Sequence, residues 1–203
     1  MIFMIKKLFL LLPLLLQSCA FISYNQIVPL IKSATVGEDD IELSDEFIAQ
    51  QPYSFIRVDL GKGANIIMVL QKINDGIYTW ISSEGEKIVT FNGKIIRTSG
   101  LIHNIDIINF KDFKYFSPLN NYSGMFNVML KDPSAFIEQE FVISLIDDEG
   151  DSLLFEEKMK LEVLNSSYSN YYWLDKRSGM AKLSKQKIHP MLPILKIDFV
   201  YKY

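Results

Sequence analysis

The sequence predicts an all-β protein, an antiparallel meander that forms a closed or partly open β-barrel, preceded by a tether and a short helix. Three observations favour this fold class. Short runs rich in β-branched and aromatic residues alternate apolar and polar positions. Glycine-containing turn signals separate these runs, and no long segment has helical periodicity. About ten to twelve such strands fit a barrel better than a two-sheet sandwich, which stays the alternative.

The first predicted element of the folded part is a short helix. Ser44 is a suitable N-cap, and Asp45 and Glu46 favour the positive helix end. Pro52 then prevents the helix from continuing. We therefore expect residues 19–50 to form a tether and a short helix, and residues 51–203 to form a single barrel-like domain.

In the first half of this domain, tight turns separate the predicted strands. The pair Asn92-Gly93 lies between two apolar runs and is the strongest hairpin signal, because a type I′ turn needs positive φ at both central positions. Asn74-Asp75-Gly76 and Gly61-Lys62-Gly63 are further turn signals. The predicted strands lie in 53–60, 64–73, 77–82, 86–91 and 93–101.

The second half continues this pattern after an irregular aromatic stretch over 109–124, which we interpret as a long loop or edge element. Charge spacing from Glu156 to Lys160 is compatible with a helix, but the alternation of the following Leu-Glu-Val-Leu favours a strand. The predicted strands lie in 126–132, 136–148, 152–165, 168–175, 179–188 and 194–203.

The amino terminus has the order of a signal peptide. Lys6 and Lys7 precede an apolar run that is too short to span a bilayer, and Ser18 stands before Cys19. The tetrad Leu-Gln-Ser-Cys resembles the lipobox of bacterial lipoproteins, which implies removal of residues 1–18 and acylation of Cys19. Multiple acyl chains hold a protein durably on a bilayer. An ordinary export signal with a free thiol is the alternative.

The composition limits the classes of partner and cofactor. Residues 1–18 hold two lysines and no acid, so the remaining chain has 19 basic and 24 acidic residues. We expect no nucleic-acid binding from this balance. Cys19 is the single cysteine, so its acylation leaves no thiol for a disulfide or a thiolate metal site. No cofactor is indicated.

The sequence lacks a recognisable catalytic motif. It has no nucleophile elbow and no phosphate-binding loop, and we assign no catalytic residue. Its two histidines, His103 and His189, lie far apart in sequence without carboxylates at ligand spacing, so a metal site has no support. We interpret the acidic segment 147–151 as a solvated turn.

Three residues are candidate contacts for a glycan or a partner protein, namely Trp80, Arg97 and Trp173. For both tryptophans we expect core packing, because buried indoles with a hydrogen-bonded N–H are common, and contact with a glycan or partner is the alternative. In a regular strand, Arg97 shares a face with Ile95. We therefore expect Arg97 to be paired inside the barrel, and an exposed Arg97 that contacts a glycan or partner is the alternative.

Two groups of residues resemble the YjbF/GfcB lipoproteins of capsule and exopolysaccharide loci. The first group covers the first half of the domain, although Lys94 stands where arginine is frequent in the family. The residues that carry the resemblance are Gly61, Gly63, Gly76, Trp80, Asn92, Gly93, Arg97, Thr98 and Gly100, followed by Asn170 to Asp175, Ser178, Gly179, Ser184, Gln186, Pro190 and Pro193.

The resemblance implies an antiparallel β-barrel-like domain on an outer-membrane lipoprotein. Ala20, rather than aspartate, after Cys19 also resembles the sorting pattern for the outer membrane, and the periplasmic face is the default. It also implies a supporting role in secretion of capsule or extracellular polysaccharide. Expected partners are the lipid bilayer, through acylated Cys19, and an outer-membrane β-barrel protein and a periplasmic accessory protein of the same locus.

Three functions are therefore compatible with the sequence. The leading hypothesis is a non-catalytic accessory factor that docks on a partner protein. The second is a periplasmic polysaccharide-binding module. The third is a glycan-modifying enzyme, which needs two carboxylates about 5 to 9.5 Å apart in a cleft.

Overall fold

The fold is a closed antiparallel barrel of twelve strands, as the sequence predicted. The computed structural model describes residues 42–61, 65–112, 116, 121–131, 133–148, 150–161 and 166–202. Each strand pairs with its neighbours in sequence, and β1 closes the barrel against β12. Residues 1–41, with Cys19, lie outside the described part.

The strands follow one another in an up-and-down order. They are β1 (Phe55–Asp59), β2 (Ile66–Asn74), β3 (Ile77–Ile81), β4 (Lys87–Phe91), β5 (Lys94–Ser99), β6 (Asn104–Ile107), β7 (Tyr122–Lys131), β8 (Ala135–Asp147), β9 (Ser152–Leu161), β10 (Ser166–Asp175), β11 (Ala181–Gln186) and β12 (Leu195–Val200). A 3₁₀ turn (Phe110–Asp112) follows β6.

Within the described residues, the helix α1 (Asp45–Gln50) precedes β1 and begins as the sequence predicted. The Ser44 hydroxyl accepts a hydrogen bond from the amide of Phe47 at 3.1 Å. The Phe47 ring packs edge-on against Phe55 of β1, and Lys202 Nζ donates to the Ile48 carbonyl at 2.7 Å. None of the helices in the described residues has the length and apolar character needed to span a lipid bilayer.

The barrel has two ends, which we name by their loops. Because consecutive strands are antiparallel, the β5–β6 and β11–β12 connections lie at the same end, called the far end here. The β4–β5 hairpin lies at the opposite end, where the chain enters β1 after α1. We call this second end the helix end.

Tight hairpins at the helix end have the predicted backbone geometry. Asn92 and Gly93 have φ of 50° and 81°, and Asp75 and Gly76 have φ of 50° and 76°. Positive φ at both central positions matches the twist of the flanking strands. The Asn-Gly and Asp-Gly signals therefore identified these turns correctly.

Two predictions of local structure need correction. β6 was not predicted, because it follows three bends and its four residues are too few to show the alternation of apolar and polar residues that identifies a strand. β5 is not a regular strand. Val89 pairs with Arg97 and Thr90 with Ile95, so Ile96 is an extra, bulged residue. The bulge turns Arg97 outward and away from Ile95, contrary to the expected shared face.

The core fills the barrel with inward side chains from every strand. Trp80, Tyr172, Phe55, Phe126 and Phe155 are the largest fully buried side chains. Phe126 stacks on Phe141 with ring centroids 4.1 Å apart. The interior is thus packed with side chains rather than open, as in other small barrels.

Candidate functional site

The most unusual chemistry in the described residues is a buried ion pair between β5 and β9. Lys94 Nζ lies 2.7 Å from Glu157 Oε1 and 2.8 Å from Oε2. The two side chains are 3% and 0% exposed. Glu157 points inward because it lies between Phe155 and Met159 on the buried face of β9.

Further donors surround the Glu157 carboxylate. Asn170 Nδ2 and the Tyr172 hydroxyl each donate to Oε2 at 2.8 Å. Lys94 Nζ also lies 4.6 Å from the centre of the Phe126 ring. These contacts offset part of the large cost of removing both charges from water.

Gln186 on β11 extends this polar cluster to the β4–β5 hairpin. Its Nε2 donates to the Gly93 carbonyl at 2.8 Å and to Ser184 Oγ at 2.9 Å, and its Oε1 accepts from the Ile95 amide at 2.9 Å. Gly93 allows the close approach, because a Cβ there would lie 2.5 Å from Ala181 Cβ. The cluster therefore connects strands that are not neighbours in the sheet.

The phenols of the cluster stay protonated at ordinary pH. Burial, together with the negative charge of Glu157, raises the pKa of Tyr172 well above its usual value. Burial also raises the pKa of Tyr168, whose hydroxyl accepts a hydrogen bond from Gln139 Nε2. Both hydroxyls can therefore donate as neutral groups.

A cavity of about 10 Å³ adjoins this cluster, lined by Lys94, Gln139, Asn170, Gln186 and apolar neighbours. This volume is close to the smallest that holds one water molecule. Because Lys94 and Glu157 are almost completely buried, a dissolved substrate cannot reach them. The cluster is therefore suited to fixing the barrel rather than to acid–base catalysis.

Trp80 lies inside the barrel and is 0% exposed, so it packs in the core as expected, and the alternative of a contact with a glycan or partner is wrong. Its indole N–H donates to Thr90 Oγ1 at 2.9 Å. It stacks on Tyr78, which shares its strand face as expected from a period of two. Core packing, the expected interpretation, therefore describes Trp80.

Arg97 lies on the outer face, and its side chain is 57% exposed. Its Nε is 3.0 Å from Asp106 Oδ1, an ion pair without hydrogen-bond alignment. The expectation of a charge paired inside the barrel is therefore wrong for Arg97, because the β5 bulge reverses its direction. The buried cation of this strand is Lys94.

Trp173 lies half-buried on the outer face of β10, between the inward residues Tyr172 and Leu174. Lys185 Nζ lies 5.6 Å from its ring, and the Tyr171 ring lies 6.3 Å away. The structure does not bring Trp80, Arg97 and Trp173 into one groove, since Trp80 points inward and the other two point outward.

The two histidines meet at the far end of the barrel. The His103 and His189 rings are stacked, with centroids 4.8 Å apart and planes 8° from parallel. A metal ion needs ring nitrogens that point at a common position, whereas these rings present their faces to each other. Within the described residues, no three His, Cys, Asp or Glu side chains form a group that could hold a metal ion.

Exposed apolar side chains lie on the outer face of the two long strands β7 and β8. Met129 pairs directly with Phe136, and Val142 pairs with Ser123. A surface depression of about 460 Å³ lies beside them, between residues 123–125 and 140–142. We call this surface the apolar stripe, formed by Met125, Met129, Phe136 and Val142.

Sequence reasoning missed the central acid of the cluster. Asn170, Tyr172, Ser184 and Gln186 were among the residues that carry the family resemblance, and Lys94 was noted as a departure from it, but Glu157 was not singled out. The sequence nevertheless pointed to Glu157, because an acid between Phe155 and Met159 on the apolar face of a strand is unusual. The stacking of the histidines had no signal in the sequence.

The fold and the buried cluster define a small all-β barrel protein whose accessible chemistry lies on its outer surface and loops. The profile described as group 4 capsule polysaccharide lipoprotein gfcB, YjbF matches residues 28–120 and 135–200. The chain therefore belongs to the YjbF family of capsule polysaccharide lipoproteins, as the resemblance predicted.

Known relatives agree with this family assignment. The chain is 29% identical over 92 residues to the uncharacterized lipoprotein GfcB of Escherichia coli K12, covering 45% of this chain and 42% of GfcB. It is 26% identical over 85 residues to the uncharacterized lipoprotein YjbF of the same strain, covering 42% of this chain and 40% of YjbF. The matches thus span about two fifths of either relative.

A solved structure shows the same fold. The crystal structure of the hypothetical lipoprotein YmcC from Escherichia coli K12 superposes with a TM-score of 0.67 at 16% identity. The superposition covers 91% of this chain and 98% of that one. At 16% sequence identity, the superposition shows that the two proteins share a fold.

Proposed function

We propose that the protein is a non-catalytic accessory factor in the secretion or assembly of capsule or extracellular polysaccharide. In this proposal, acyl chains on Cys19 hold it on the periplasmic face of the outer membrane. It acts by docking on a partner protein, and the expected partners are an outer-membrane β-barrel protein and a periplasmic accessory protein of the same locus. Membership of a capsule polysaccharide lipoprotein family supports the pathway.

The apolar stripe carries the docking part of the proposal. Phe136 is 58% exposed and pairs with exposed Met129, and exposed Met125 and Val142 lie further along the same outer face. Exposed apolar surface of this kind is typical of a protein-binding site, and flexible methionines are frequent in such sites. Glu138 and Glu140 also lie on this face of β8, so the stripe combines apolar contact with charge.

The burial of the ion pair supports a role without catalysis. A glycan-modifying enzyme needs carboxylates that reach the substrate, whereas Glu157 is enclosed among Lys94, Asn170 and Tyr172. The polar interior is therefore better explained as part of the scaffold that presents the outer surface.

The test compares two exposed apolar positions on opposite sides of the barrel. Phe136→Lys on β8 changes the apolar stripe, and Ile73→Lys changes β2, where the side chain is 52% exposed. β2 and β8 lie six strands apart in the ring of twelve. Both variants should fold with unchanged stability, because both side chains already contact water.

The measurement is capsular polysaccharide at the surface of host cells that lack the natural gene and carry either variant. Phe136→Lys should reduce surface polysaccharide, whereas Ile73→Lys should not. A photo-crosslinking side chain placed at position 129 of the stripe should form crosslinks to the partner protein in the Ile73→Lys background and lose them in the Phe136→Lys background. Equal export by both variants at equal protein levels would refute docking through the stripe.

A polysaccharide-binding module is the second candidate, supported by the outer-face pair Tyr171 and Trp173. Tyr171 donates to Glu156 Oε1 at 3.3 Å, and Lys185 lies over the Trp173 ring. Aromatic rings beside charged groups can stack and hydrogen-bond a sugar. Titration of the full chain in detergent with the host's purified capsular polysaccharide tests this function. Binding that Trp173→Ala abolishes would favour it over protein docking.

A further inference from the structure

The segment that joins β11 to β12, residues 187–194, is organised around His189 at the far end. His189 is 2% exposed. Its Nδ1 accepts a hydrogen bond from the Met191 amide at 3.1 Å, and its carbonyl accepts from the Leu192 amide at 3.1 Å. A ring nitrogen that accepts a hydrogen bond carries no proton, so this turn requires neutral His189 with its proton on Nε2.

Two potentially cationic groups face the His189 ring. His103, from the loop between β5 and β6, stacks on it at 4.8 Å. Lys187, from the segment itself, acts on it electrostatically and also donates from Nζ to the Leu192 carbonyl. A positive charge on His189 is therefore opposed from a neighbouring loop and from its own segment.

The same segment covers the polar cluster. The Lys187 amide donates to Asn170 Oδ1 at 2.7 Å, and Lys187 and Ile188 line the cavity of about 10 Å³ next to Lys94. Ile188 also packs in the core. Movement of the segment would open the far end of the barrel toward this cavity.

We propose that residues 187–194 form a proton-operated latch, which is closed while His189 is neutral and released when Nδ1 takes up a proton. The physical reason is the hydrogen bond from Met191. A protonated Nδ1 is a donor, so it would face the donor N–H of Met191 and the bond would be lost. Protonation would also place a charge on a buried ring whose Nε2 has no hydrogen-bond acceptor among the described residues.

The pKa of His189 in the closed segment determines how pH changes the stability of the closed state. Burial, then His103 and Lys187, lower the pKa of His189 below its usual value of 6.5. The closed segment thus binds a proton less readily than the released one. The latch is closed above about pH 6.5 and loses stability as the pH falls below it.

Hydrogen exchange of the Met191 and Leu192 amides, in the full chain purified in detergent, measures this opening. After correction for intrinsic rates, opening should increase severalfold between about pH 7.5 and about pH 5, the range in which the histidine of the released segment takes up its proton. Amides in β3, which contributes no residue to the cavity next to the segment, serve as the internal reference.

Two variants separate the latch from general acid sensitivity. In His189→Asn, the side-chain oxygen can accept the same amide two residues on, and it does not titrate. In His103→Phe, the stacked ring stays and the electrostatic effect of His103 on His189 is removed. His189→Asn should remain closed across the pH range, and His103→Phe should open less than the natural protein at low pH.

The proposal is overturned if the natural protein keeps both amides protected down to about pH 5. It is also overturned if His189→Asn opens with the same pH dependence as the natural protein. Should His189→Asn fail to fold, His103→Phe decides alone, and unchanged opening in that variant would contradict the latch.

Discussion

The ammonium of Lys94 and the carboxylate of Glu157 form an ion pair inside the barrel, with Nζ 2.7 Å and 2.8 Å from the two carboxylate oxygens. Lys94 begins β5, and Glu157 lies near the middle of β9. The two strands are not neighbours in the sheet. The pair therefore fixes one side of the barrel relative to the other, and replacing either partner leaves an unpaired buried charge or donor.

Replacement of Glu157 should destabilise the barrel strongly. In Glu157→Leu, the Lys94 ammonium stays buried without its counter-ion, and Asn170 and Tyr172 lose their acceptor. Breaking a buried pair costs about 3 to 5 kcal/mol of unfolding free energy. Urea unfolding of the full chain in detergent, followed by tryptophan fluorescence, measures the loss.

Arg97→Ala is the matched control for this variant, because it breaks an ion pair on the outer face. Arg97 is largely exposed, so its pair with Asp106 should contribute at most about 1 kcal/mol. Comparable losses in the two variants would contradict the assignment of the Lys94–Glu157 pair as the stabilising one.

Alkaline pH should unfold the protein through its buried phenols. Burial and the charge of Glu157 raise the pKa of Tyr172 in the folded state, so the folded state keeps this proton where the unfolded state has lost it. The resulting stability is complete below the unfolded value of about 10 and is lost as the pH rises beyond it. Part of the phenolate absorbance, that of Tyr172, should therefore appear only at the higher pH at which the protein unfolds.

Tyr172→Phe provides the comparison for this titration. It cannot ionise at position 172, so the late absorbance should decrease and stability should fall less steeply above about pH 10. A spectrum in which every tyrosine titrates before any loss of β structure by circular dichroism would show that the Tyr172 hydroxyl is accessible.

The hairpin glycine at position 93 should be far less replaceable than a glycine in an open turn. Both Gly93 and Gly85 have positive φ, of 81° and 95°. A Cβ on Gly93 would lie 2.5 Å from Ala181 Cβ, whereas a Cβ on Gly85 would meet nothing within 4 Å. Gly85→Ala should cost about 1 kcal/mol, the backbone strain alone.

Gly93→Ala should cost clearly more than Gly85→Ala, because β11 must shift away from the hairpin and the Gln186 bond to the Gly93 carbonyl is disturbed. Thermal unfolding of the two variants, measured side by side, gives the difference. Equal melting temperatures would show that β11 yields at no cost, which conflicts with a closely packed barrel.

The sequence was sufficient for the fold class because local signals agreed along the chain. The turn at Asn92-Gly93 and the alternation around Tyr78 and Trp80 each depend on near neighbours. The direction of Arg97 was not predictable, because the β5 bulge depends on how β4 and β5 pair. Glu157 and Lys94 are likewise joined by closure of the barrel, which no local pattern encodes.

Replacement of Cys19 tests the membrane anchor on which the proposed function depends. The lipobox-like tetrad before it predicts cleavage and acylation at this residue, and the anchoring strength follows from the buried acyl chains, at about 0.8 kcal/mol per methylene. Cys19→Ala should therefore remain uncleaved or become soluble, while the barrel folds unchanged. Fractionation of host membranes, followed by salt and urea washes, gives the distribution. Ser18→Ala is a suitable control, since it keeps a small residue before Cys19 and leaves the cysteine available for acylation. If the Cys19→Ala protein still fractionates with outer membranes after these washes, a lipid on Cys19 is not the anchor.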